Sequence, residues 1–464
     1  MKKSIIAIGL ALYFLIYNSI PVLASPVDQT IVETNEIPNW PIGPELNCKS
    51  AILIEANTGV ILYAKNPNER LYPASTTKLL TTLLAAENSD MDEIVTFSYD
   101  SVFSLEEGSS NIGIDPGQAM DMEECLYGIM VGSANEVANA VAEHVGGSIE
   151  GFVNIMNQRV SDLGLKNTHF TNPNGLQDEN HYTSAYDLAI IAREYFKDEH
   201  LSKIGNTALY HFEATSTQPD DFYIRNKHKL INGDISYPGI KGGKTGFTSD
   251  ANETLVTCSD QDGMRLICVV LYEDSPEQFY DTVKLFDYGF SNFTIMNVAE
   301  NEKRYSIKSS NFFPTSVDIL GDSSQILELN KDSYIIMPRN ITFNDLETSI
   351  NYNTDDESDI AYITYSYSNA YLGYGRLNKV GSVLNTSAFD PELVQEKKEE
   401  VVEEDNYIYI NVVYVIAGIL IVAFVISIIT IILSVLINYN ILDNMREKRK
   451  SKRRIRRDKS NLKF

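Results

Sequence analysis

Apolar residues follow a helical spacing through the middle of the chain. Leu79, Leu80, Leu83 and Leu84 recur on one helix face, directly after the polar segment at residues 75–78. The same spacing predicts further helices over residues 122–130, 137–145, 148–163 and 184–196. The central part of the chain is therefore predicted to be mainly helical.

Runs rich in β-branched residues predict strands on both sides of these helices. A hairpin is predicted within residues 51–63, and a second pair of strands within residues 253–271, after strand character returns beyond Tyr237. Short apolar runs separated by polar turns continue from about residue 300 to 387, for example at residues 333–337 and 360–365. This last region is predicted to form a second, all-β domain.

Two long apolar segments lie outside this region. Residues 5–17 follow two lysines and precede a small-residue cleavage pattern, which predicts a signal peptide cut after Ala24; a retained N-terminal anchor is the alternative. Residues 410–437 contain no charged residue and exceed the ~20 residues needed to span a bilayer. The basic tail at residues 446–457 then places the C-terminus in the cytoplasm. Such a tail can also bind nucleic acid, but beside a spanning helix a lipid-binding role is favoured.

The formal net charge of −25 hides an uneven distribution. Lys2, Lys3 and 11 basic residues beyond residue 437 account for 13 of the 38 Lys and Arg residues, whereas only 3 of the 63 Asp and Glu residues lie there. The rest of the chain therefore carries 25 basic and 60 acidic residues, a net charge of −35. This acidity argues against polyanion binding, and an anionic substrate would need a local cationic trap.

The four cysteines are too few for a dense disulfide framework in a chain of this length. Cys258 and Cys268 flank a predicted turn at Asp262 and Gly263. If those two residues form the loop, Cys258 lies opposite Ile267, which argues against a bridge between the two cysteines. Neither the cysteines nor the six histidines show metal-ligand spacing, so no metal site and no cofactor is predicted.

A serine and a lysine stand three residues apart where the first predicted helix begins. Pro73 sets the backbone before Ser75, and helical geometry puts Ser75 and Lys78 on one face. A serine hydroxyl needs a neighbouring base, and a lysine is such a base only when burial or nearby cations lower its pKa. The pair predicts a nucleophile and its base, although a helix start with an exposed lysine has the same spacing.

Two further stretches place polar groups at a turn and a strand. Ser133 and Asn135 lie between two predicted helices, where they either project into a cleft or cap the second helix. Lys244, Thr245 and Gly246 precede a predicted strand, and alone they also fit an ordinary turn. The glycines near Lys244 do not have the phosphate-loop spacing, so a nucleotide site is excluded.

Together these three motifs resemble those of penicillin-binding proteins and class A β-lactamases. With their flanks they are similar to the low-molecular-weight penicillin-binding proteins, which are serine-type D-alanyl-D-alanine carboxypeptidases. The resemblance covers residues 48–387 and is carried by residues 73–78, 132–135, 172–176, 181–187 and 244–248. It implies an α+β fold of the β-lactamase/transpeptidase type, in which a helical cluster packs on an antiparallel sheet and a small all-β domain follows.

The resemblance and the terminal segments together predict the organisation of the chain. The expected parts are a signal peptide (1–24), a lead-in (25–45), a D,D-peptidase catalytic domain (46–299), a β-rich C-terminal domain (300–390), a charged linker (391–408), a C-terminal transmembrane helix (409–437) and a basic cytoplasmic tail (438–464). Related enzymes commonly hold the membrane through a C-terminal amphipathic helix, so the full span is a departure. The expected location is the cell membrane, single-pass, with the catalytic domain outside.

The resemblance also implies a role for each motif residue. Ser75 would attack the carbonyl between two D-alanines, Lys78 would accept its proton, and Ser133 would relay that proton to the leaving amine. The expected substrate-binding residues are Asn135 as an orienting amide, Lys244 and Thr245 as partners of the terminal carboxylate, Gly246 for close approach, and Phe247, whose N–H would form an oxyanion hole with that of Ser75.

The expected partners are peptidoglycan stem peptides and β-lactams, with no nucleic acid; the oligomeric state is left open. Three alternatives use the same scaffold: a β-lactamase, a D,D-endopeptidase, and a catalytically silent sensor of cell-wall peptides. Residues 166–180 show nothing like the Glu-containing loop of class A β-lactamases. The intact Ser75, Lys78 and Lys244 argue against the silent sensor.

Overall fold

The computed structural model describes residues 33–106, 108–304, 327–352 and 359–379. These residues fall in one of the two structural units of the chain, which extends to Val383. The predicted signal peptide, charged linker, transmembrane helix and basic tail lie outside the described ranges. Within those ranges, no helix is long and apolar enough to cross a membrane.

The strands of the described residues alternate with helices in the first part of the chain and follow one another in the last part. In chain order they are β1 Ser50–Glu55, β2 Ile61–Lys65, β3 Ile94–Thr96, β4 Ala119–Asp121, β5 Leu209–Phe212, β6 Phe222–Arg225, β7 Ile240–Thr248, β8 Asn252–Gln261, β9 Met264–Glu273, β10 Phe293–Asn297, β11 Leu327–Leu329, β12 Tyr334–Pro338, β13 Glu347–Asn351, β14 Asp359–Tyr367 and β15 Ala370–Lys379.

The helices lie mostly between β2 and β5. In chain order they are α1 Lys78–Asn88, α2 Tyr99–Phe103, α3 Met122–Tyr127, α4 Asn135–Gly146, α5 Ile149–Asp162, α6 Ala185–Lys197, α7 Glu199–Gly205, α8 Glu277–Asn292 and α9 Val298–Asn301. Their starts follow local signals: the Ser184 side chain, for example, accepts a hydrogen bond from the Asp187 N–H and caps α6.

The main sheet has five antiparallel strands in the order β2-β1-β9-β8-β7. Both of its faces are buried, which explains the nearly continuous apolar runs of β1, β2 and β9. In β1, Ile52 and Ile54 belong to the core on the helical side. Ala51 and Leu53 belong to the core on the opposite side. Helices α6 and α7 contact the first face, α1 packs on α6 behind it, and α8 covers the second face.

The second sheet has the order β10-β12-β15-β14-β13, with β11 paired to β15. It begins at Phe293, ahead of the boundary predicted between residues 299 and 300, and that boundary stays a prediction. Ile336 and Ile363 belong to the same apolar core as Ala51 and Leu53, on the second face of the main sheet. Trp40, in the predicted lead-in, joins this core: its ring lies 5.4 Å from that of Phe293.

The sequence-based description of the secondary structure is wrong in three places. The hairpin β5–β6 and the two-stranded sheet β3–β4 lie in the region predicted to be helical before Tyr237. Strands β3, β5 and β6 are three or four residues long and partly exposed, and β4 has only three residues, so none contains an apolar run long enough to predict a strand. The helix predicted around Ser75 also begins differently, because Ala74–Thr77 form a 3-10 turn before α1.

The register of the β8–β9 hairpin is as predicted. Cys258 pairs with Ile267, and Thr257 pairs with Cys268. All four cysteines lie in the described ranges, and all are buried free thiols.

Candidate active site

Ser75 lies on a 3-10 turn that two distant segments hold in place. The preceding Ala74 has a φ of 49°, in the left-handed region that costs a non-glycine residue about 1–2 kcal/mol. Gly175 packs directly against it, since a Cβ on Gly175 would lie 1.9 Å from the Ala74 carbonyl oxygen. From the other side, the Thr254 hydroxyl donates to the Pro73 carbonyl at 2.9 Å. The nucleophile is therefore presented on a fixed backbone.

Lys78 is the first residue of α1, and its side chain is fully buried. Its Nζ lies 2.9 Å from Ser75 Oγ and donates to Asn135 Oδ1 at 2.6 Å and to the Asn174 carbonyl at 2.5 Å. The oxygens of Asn135 and Asn174 only accept hydrogen bonds, whereas the Ser75 hydroxyl can donate one to the Lys78 nitrogen. A neutral amine, with two N–H groups and one lone pair, satisfies all three.

Burial lowers the pKa of Lys78 well below its ordinary value. The positive charges of Lys244 and Lys227 lower it further, whereas the Glu136 carboxylate opposes them. A buried amine surrounded by cations loses its proton readily, which is the condition that a lysine base requires. The exposed-lysine interpretation of this helix start is excluded by the burial of Lys78.

Ser133 and Asn135 lie where α3 ends and α4 begins. A π-helical turn over Gly128–Gly132 ends at Ser133, whose φ of 59° is in the left-handed region. The N-cap of α4 is Ala134, which contributes no side-chain cap, and Asn135 is the first helical residue. Neither Ser133 nor Asn135 caps α4, and both side chains line the cleft. The structure therefore rejects the capping interpretation.

Lys244 lies in the middle of the edge strand β7 and is only 2% exposed. Its Nζ donates to Ser133 Oγ at 3.0 Å and to the Thr245 carbonyl at 3.0 Å. Burial, and secondarily the charge of Lys227, lowers its pKa to about 7. Lys244 thus places an ammonium group at the cleft, and this group loses its proton near neutral pH.

Gly246 and Phe247 bring β7 close to the nucleophile. A Cβ on Gly246 would lie 2.8 Å from the Ser75 nitrogen and 2.4 Å from Thr254 Oγ1, so only glycine fits. The next residue, Phe247, is 62% exposed at the cleft rim. This close approach of backbones is compatible with the predicted oxyanion hole, whose two donors are the N–H groups of Ser75 and Phe247.

The predicted site residues therefore converge on one cleft of about 460 Å³. Ser75, Ser133, Asn135, Thr245, Gly246 and Phe247 line it. Lys78 and Lys244 lie just behind its wall, in hydrogen-bond contact with Ser75 and Ser133. A serine nucleophile, a buried neutral amine and a cation suited to a carboxylate are the groups that acyl transfer from a peptide with a free C-terminus requires.

The D-alanyl-D-alanine carboxypeptidase family model matches residues 36–275, more than half of the 464-residue chain. The chain belongs to this family. It is 42% identical over 250 residues to the D-alanyl-D-alanine carboxypeptidase DacF of Bacillus subtilis (strain 168), in a match that covers 53% of this chain and 62% of that relative.

Solved structures agree with this membership in the carboxypeptidase family. Penicillin-binding protein 5 from Haemophilus influenzae is 26% identical, with a TM-score of 0.57 over 72% of this chain and 97% of that chain. The Streptomyces K15 DD-transpeptidase is 26% identical, with a TM-score of 0.51 over 54% of this chain and 99% of that chain. The fold, helices with antiparallel sheets, is of the penicillin-binding protein and transpeptidase type.

Several cleft residues of this family member were not singled out from the sequence. Asn174 supports Lys78, and Gly175 supports Ala74. In the sequence, these two residues stand out only as part of the family-like segment at residues 172–176. Lys227 donates to Ser110 Oγ at 3.1 Å, and Lys229 also lines the cleft. The sequence signal for this part of the cleft is the close spacing of Lys227 and Lys229, since lysines are few relative to acidic residues between the two termini.

Proposed function

We propose that the protein is a serine-type D-alanyl-D-alanine carboxypeptidase that removes the terminal D-alanine from peptidoglycan stem peptides and is acylated by β-lactams. The observation that carries this proposal is the contact of the buried Lys78 amine with Ser75 Oγ at 2.9 Å, with Lys244 nearby as a cation. Family membership supports the same reaction.

The reaction begins with acylation of Ser75. Its Oγ attacks the carbonyl carbon between the two D-alanines while neutral Lys78 takes the hydroxyl proton. The oxyanion that forms accepts hydrogen bonds from the N–H groups of Ser75 and Phe247. Lys244 and Thr245 hold the carboxylate of the terminal D-alanine, which places the scissile bond over Ser75.

Collapse of the tetrahedral intermediate releases D-alanine. Ser133 is 3.0 Å from Lys244, and Asn135 contacts Lys78 at 2.6 Å, so Ser133 lies in the same polar cluster as the base. Ser133 gives its hydroxyl proton to the leaving amine and is reprotonated by the proton that Lys78 holds, the C–N bond breaks, and an ester remains on Ser75. Water then attacks this ester: its oxygen bonds to the acyl carbon, one of its protons passes through Lys78 to Ser75 Oγ, and the shortened peptide is released as a carboxylic acid.

A β-lactamase would differ in how fast this ester is hydrolysed when the acyl group comes from penicillin. The loop nearest to the nucleophile presents the Asn174 carbonyl to Lys78, at 2.5 Å. Of the described residues that line the cleft, Glu253 alone carries a carboxylate. A long-lived penicilloyl ester is therefore expected, and with it inhibition instead of turnover.

One pair of assays tests the proposal. Full-length protein is incubated with a pentapeptide that ends in D-alanyl-D-alanine, and in parallel with a chromogenic cephalosporin. Release of one D-alanine per peptide with little cephalosporin turnover is expected. Rapid cephalosporin turnover would favour the β-lactamase. Cleavage of cross-linked peptides into their two separate stem peptides would add the endopeptidase, and the absence of all these activities from correctly folded protein would leave the silent sensor.

We further propose a single membrane span with the catalytic domain outside and the C-terminus in the cytoplasm. The charge-free run at residues 410–437 and the basic tail that follows support this arrangement. A spanning helix resists extraction, so the protein should stay in the membrane in alkaline carbonate and in high salt. Release under either condition would contradict the proposal.

A further inference from the structure

Three potential metal-ligating side chains meet in the described part of the chain, away from the residues that carry the proposed reaction. They are Cys48, just before β1, Glu273, at the end of β9, and Asp281, in α8. One ligand atom from each lies within 4.8 Å of the other two. The sequence could not indicate this cluster, because 225 positions separate Cys48 from Glu273.

All three side chains are shielded from water. Cys48 is 1% exposed, Glu273 is 3% exposed and Asp281 is fully buried. Two buried carboxylates this close repel each other, and a cation between them would remove the repulsion. Buried charges in proteins are normally paired or coordinate metals.

Glu273 supplies an independent indication that a partner belongs here. Its Oε2 is buried and accepts no hydrogen bond from an N–H or hydroxyl group of the described residues. The neighbouring side chain is Asp281, another carboxylate, so a hydrogen bond between the two requires a shared proton, whose place a metal ion would take. The other carboxylate oxygen of Glu273 accepts from the Asp274 N–H at 2.9 Å. A buried, unpartnered carboxylate oxygen is costly unless a positive group reaches it.

The neighbouring groups leave part of this negative charge uncompensated. Lys284 Nζ lies 2.7 Å from Asp281 Oδ1, and the Asn47 N–H donates to Asp281 Oδ2 at 3.3 Å. Lys65 directs its ammonium to the carbonyls of Leu46 and Cys48, at 2.6 and 2.7 Å. These bonds fix the backbone that carries Cys48, whereas Glu273 Oε2 has no comparable contact among the described residues.

We propose that Cys48, Glu273 and Asp281 form a binding site for Zn²⁺. One sulfur and two carboxylate oxygens are ligands that zinc accepts, and a fourth position would be left for water. At tetrahedral angles, bond lengths of ~2.3 Å to sulfur and ~2.1 Å to oxygen separate the ligand atoms by about 3.6 Å, so the side chains must close by about 1 Å. The Cys48 thiol gives up its proton to solvent as the zinc–sulfur bond forms.

The site would stabilise one wall of the catalytic cleft. Glu273 and Asp281 bracket a short segment in which Ser275, Gln278 and Phe279 line the cleft. A metal ion that bonds both ends of the segment, and also Cys48, would tie this wall to the start of β1. Binding of zinc to the folded state alone also raises the melting temperature.

The test uses full-length protein freed of metal with a chelator and titrated with Zn²⁺ by calorimetry and with Cd²⁺ by ultraviolet absorption. One equivalent of zinc should bind, cadmium should produce a thiolate charge-transfer band, and the melting temperature should rise by about 4 °C at a free zinc concentration ~100-fold above Kd. Exposed histidines and carboxylates produce no such band, so the band isolates coordination by a cysteine.

Matched variants locate the ligands. Cys48→Ser should abolish the band, and Glu273→Gln, which keeps the side-chain shape, should weaken zinc binding at least ~10-fold. Cys125→Ser, at a buried thiol in α3, should bind like the unaltered protein. Acylation of Ser75 by penicillin should persist in all three variants, which separates this proposal from the proposed function. Absence of the band in the unaltered protein, or its persistence in Cys48→Ser, would overturn the zinc site.

Discussion

Lys244 donates a hydrogen bond to Ser133 at 3.0 Å, although 111 positions separate the two residues. The contact joins the edge strand of the main sheet to the turn before α4. Asn135, two residues further on, contacts Lys78 at 2.6 Å. The three motifs thus form one polar cluster, in which a change to one ammonium group alters the charge environment of the other.

Lys78→Arg tests whether Lys78 is the base. A guanidinium remains protonated even when buried, so it cannot accept the Ser75 proton. The rate of acylation by benzylpenicillin should fall by ~10²–10⁴-fold. Lys166→Arg, at an exposed lysine, is the matched control and should acylate normally. An acylation rate in Lys78→Arg close to that of the control would show that another group takes the proton.

The pH dependence of peptide binding should report the charge of Lys244. Its pKa of about 7 means that the ammonium is lost as the pH rises through neutrality, and with it the attraction for the substrate carboxylate. KM for the pentapeptide should therefore rise above pH 7, by up to ~10-fold per pH unit. In Lys244→Arg the cation persists, so KM should stay nearly constant up to pH 9. The same rise in both proteins would assign the carboxylate contact elsewhere.

Asn135→Asp should restore the proton of Lys78 without a change in side-chain shape. The new carboxylate would lie about 2.6 Å from Nζ and would favour the ammonium form. The acidic limb of the acylation rate against pH should move upward by ~1–3 pH units, with recovery at alkaline pH. Asn154→Asp, at an exposed position of α5, should leave the profile unchanged. A rate lowered equally at every pH would indicate a structural defect instead.

Two buried histidines should make the protein acid-sensitive. Burial lowers the pKa of His181 and of His228 to about 3. Each stays neutral when folded but takes up a proton below pH 6.5 when unfolded, so stability falls between pH 6.5 and 3 by up to ~1.4 kcal/mol per pH unit for each histidine. Protonation of His181 would also break the bond that its Nδ1 accepts from the Thr171 N–H.

Urea unfolding between pH 4 and 7 measures this effect. His181→Asn should lower the slope of the unfolding free energy against pH by about 1.4 kcal/mol per pH unit, the contribution of one proton. His169→Asn, at an exposed histidine, should leave the slope unchanged. Equal slopes for His181→Asn and the unaltered protein would contradict the assignment.

The residues of the candidate site could be located in the sequence because its motifs are short and local. The three-residue spacing of Ser75 and Lys78 follows from helix geometry, and the β8–β9 register follows from a two-residue turn. The family resemblance then assigned roles to Ser133, Asn135 and Lys244, and the structure brings these residues together.

What could not be predicted depends on contacts between distant segments. The Asn174 carbonyl reaches Lys78 across 96 positions, and Gly175 fits against Ala74 only after the loop has folded. The two-stranded sheet β3–β4 and the hairpin β5–β6 were not predicted, because strands of three or four residues carry too little hydrophobic pattern. The cluster of Cys48 with Glu273 and Asp281 likewise requires tertiary structure.

The most direct test of the central claim is the mass of the protein after incubation with benzylpenicillin. Full-length protein should gain one penicilloyl group, and peptide mapping should locate it on Ser75. Ser75→Ala should gain none, whereas Ser109→Ala, at a serine that lines the same cleft, should still be labelled. Absence of the adduct from folded, unaltered protein, or an adduct that persists in Ser75→Ala, would contradict the assignment of Ser75 as the nucleophile.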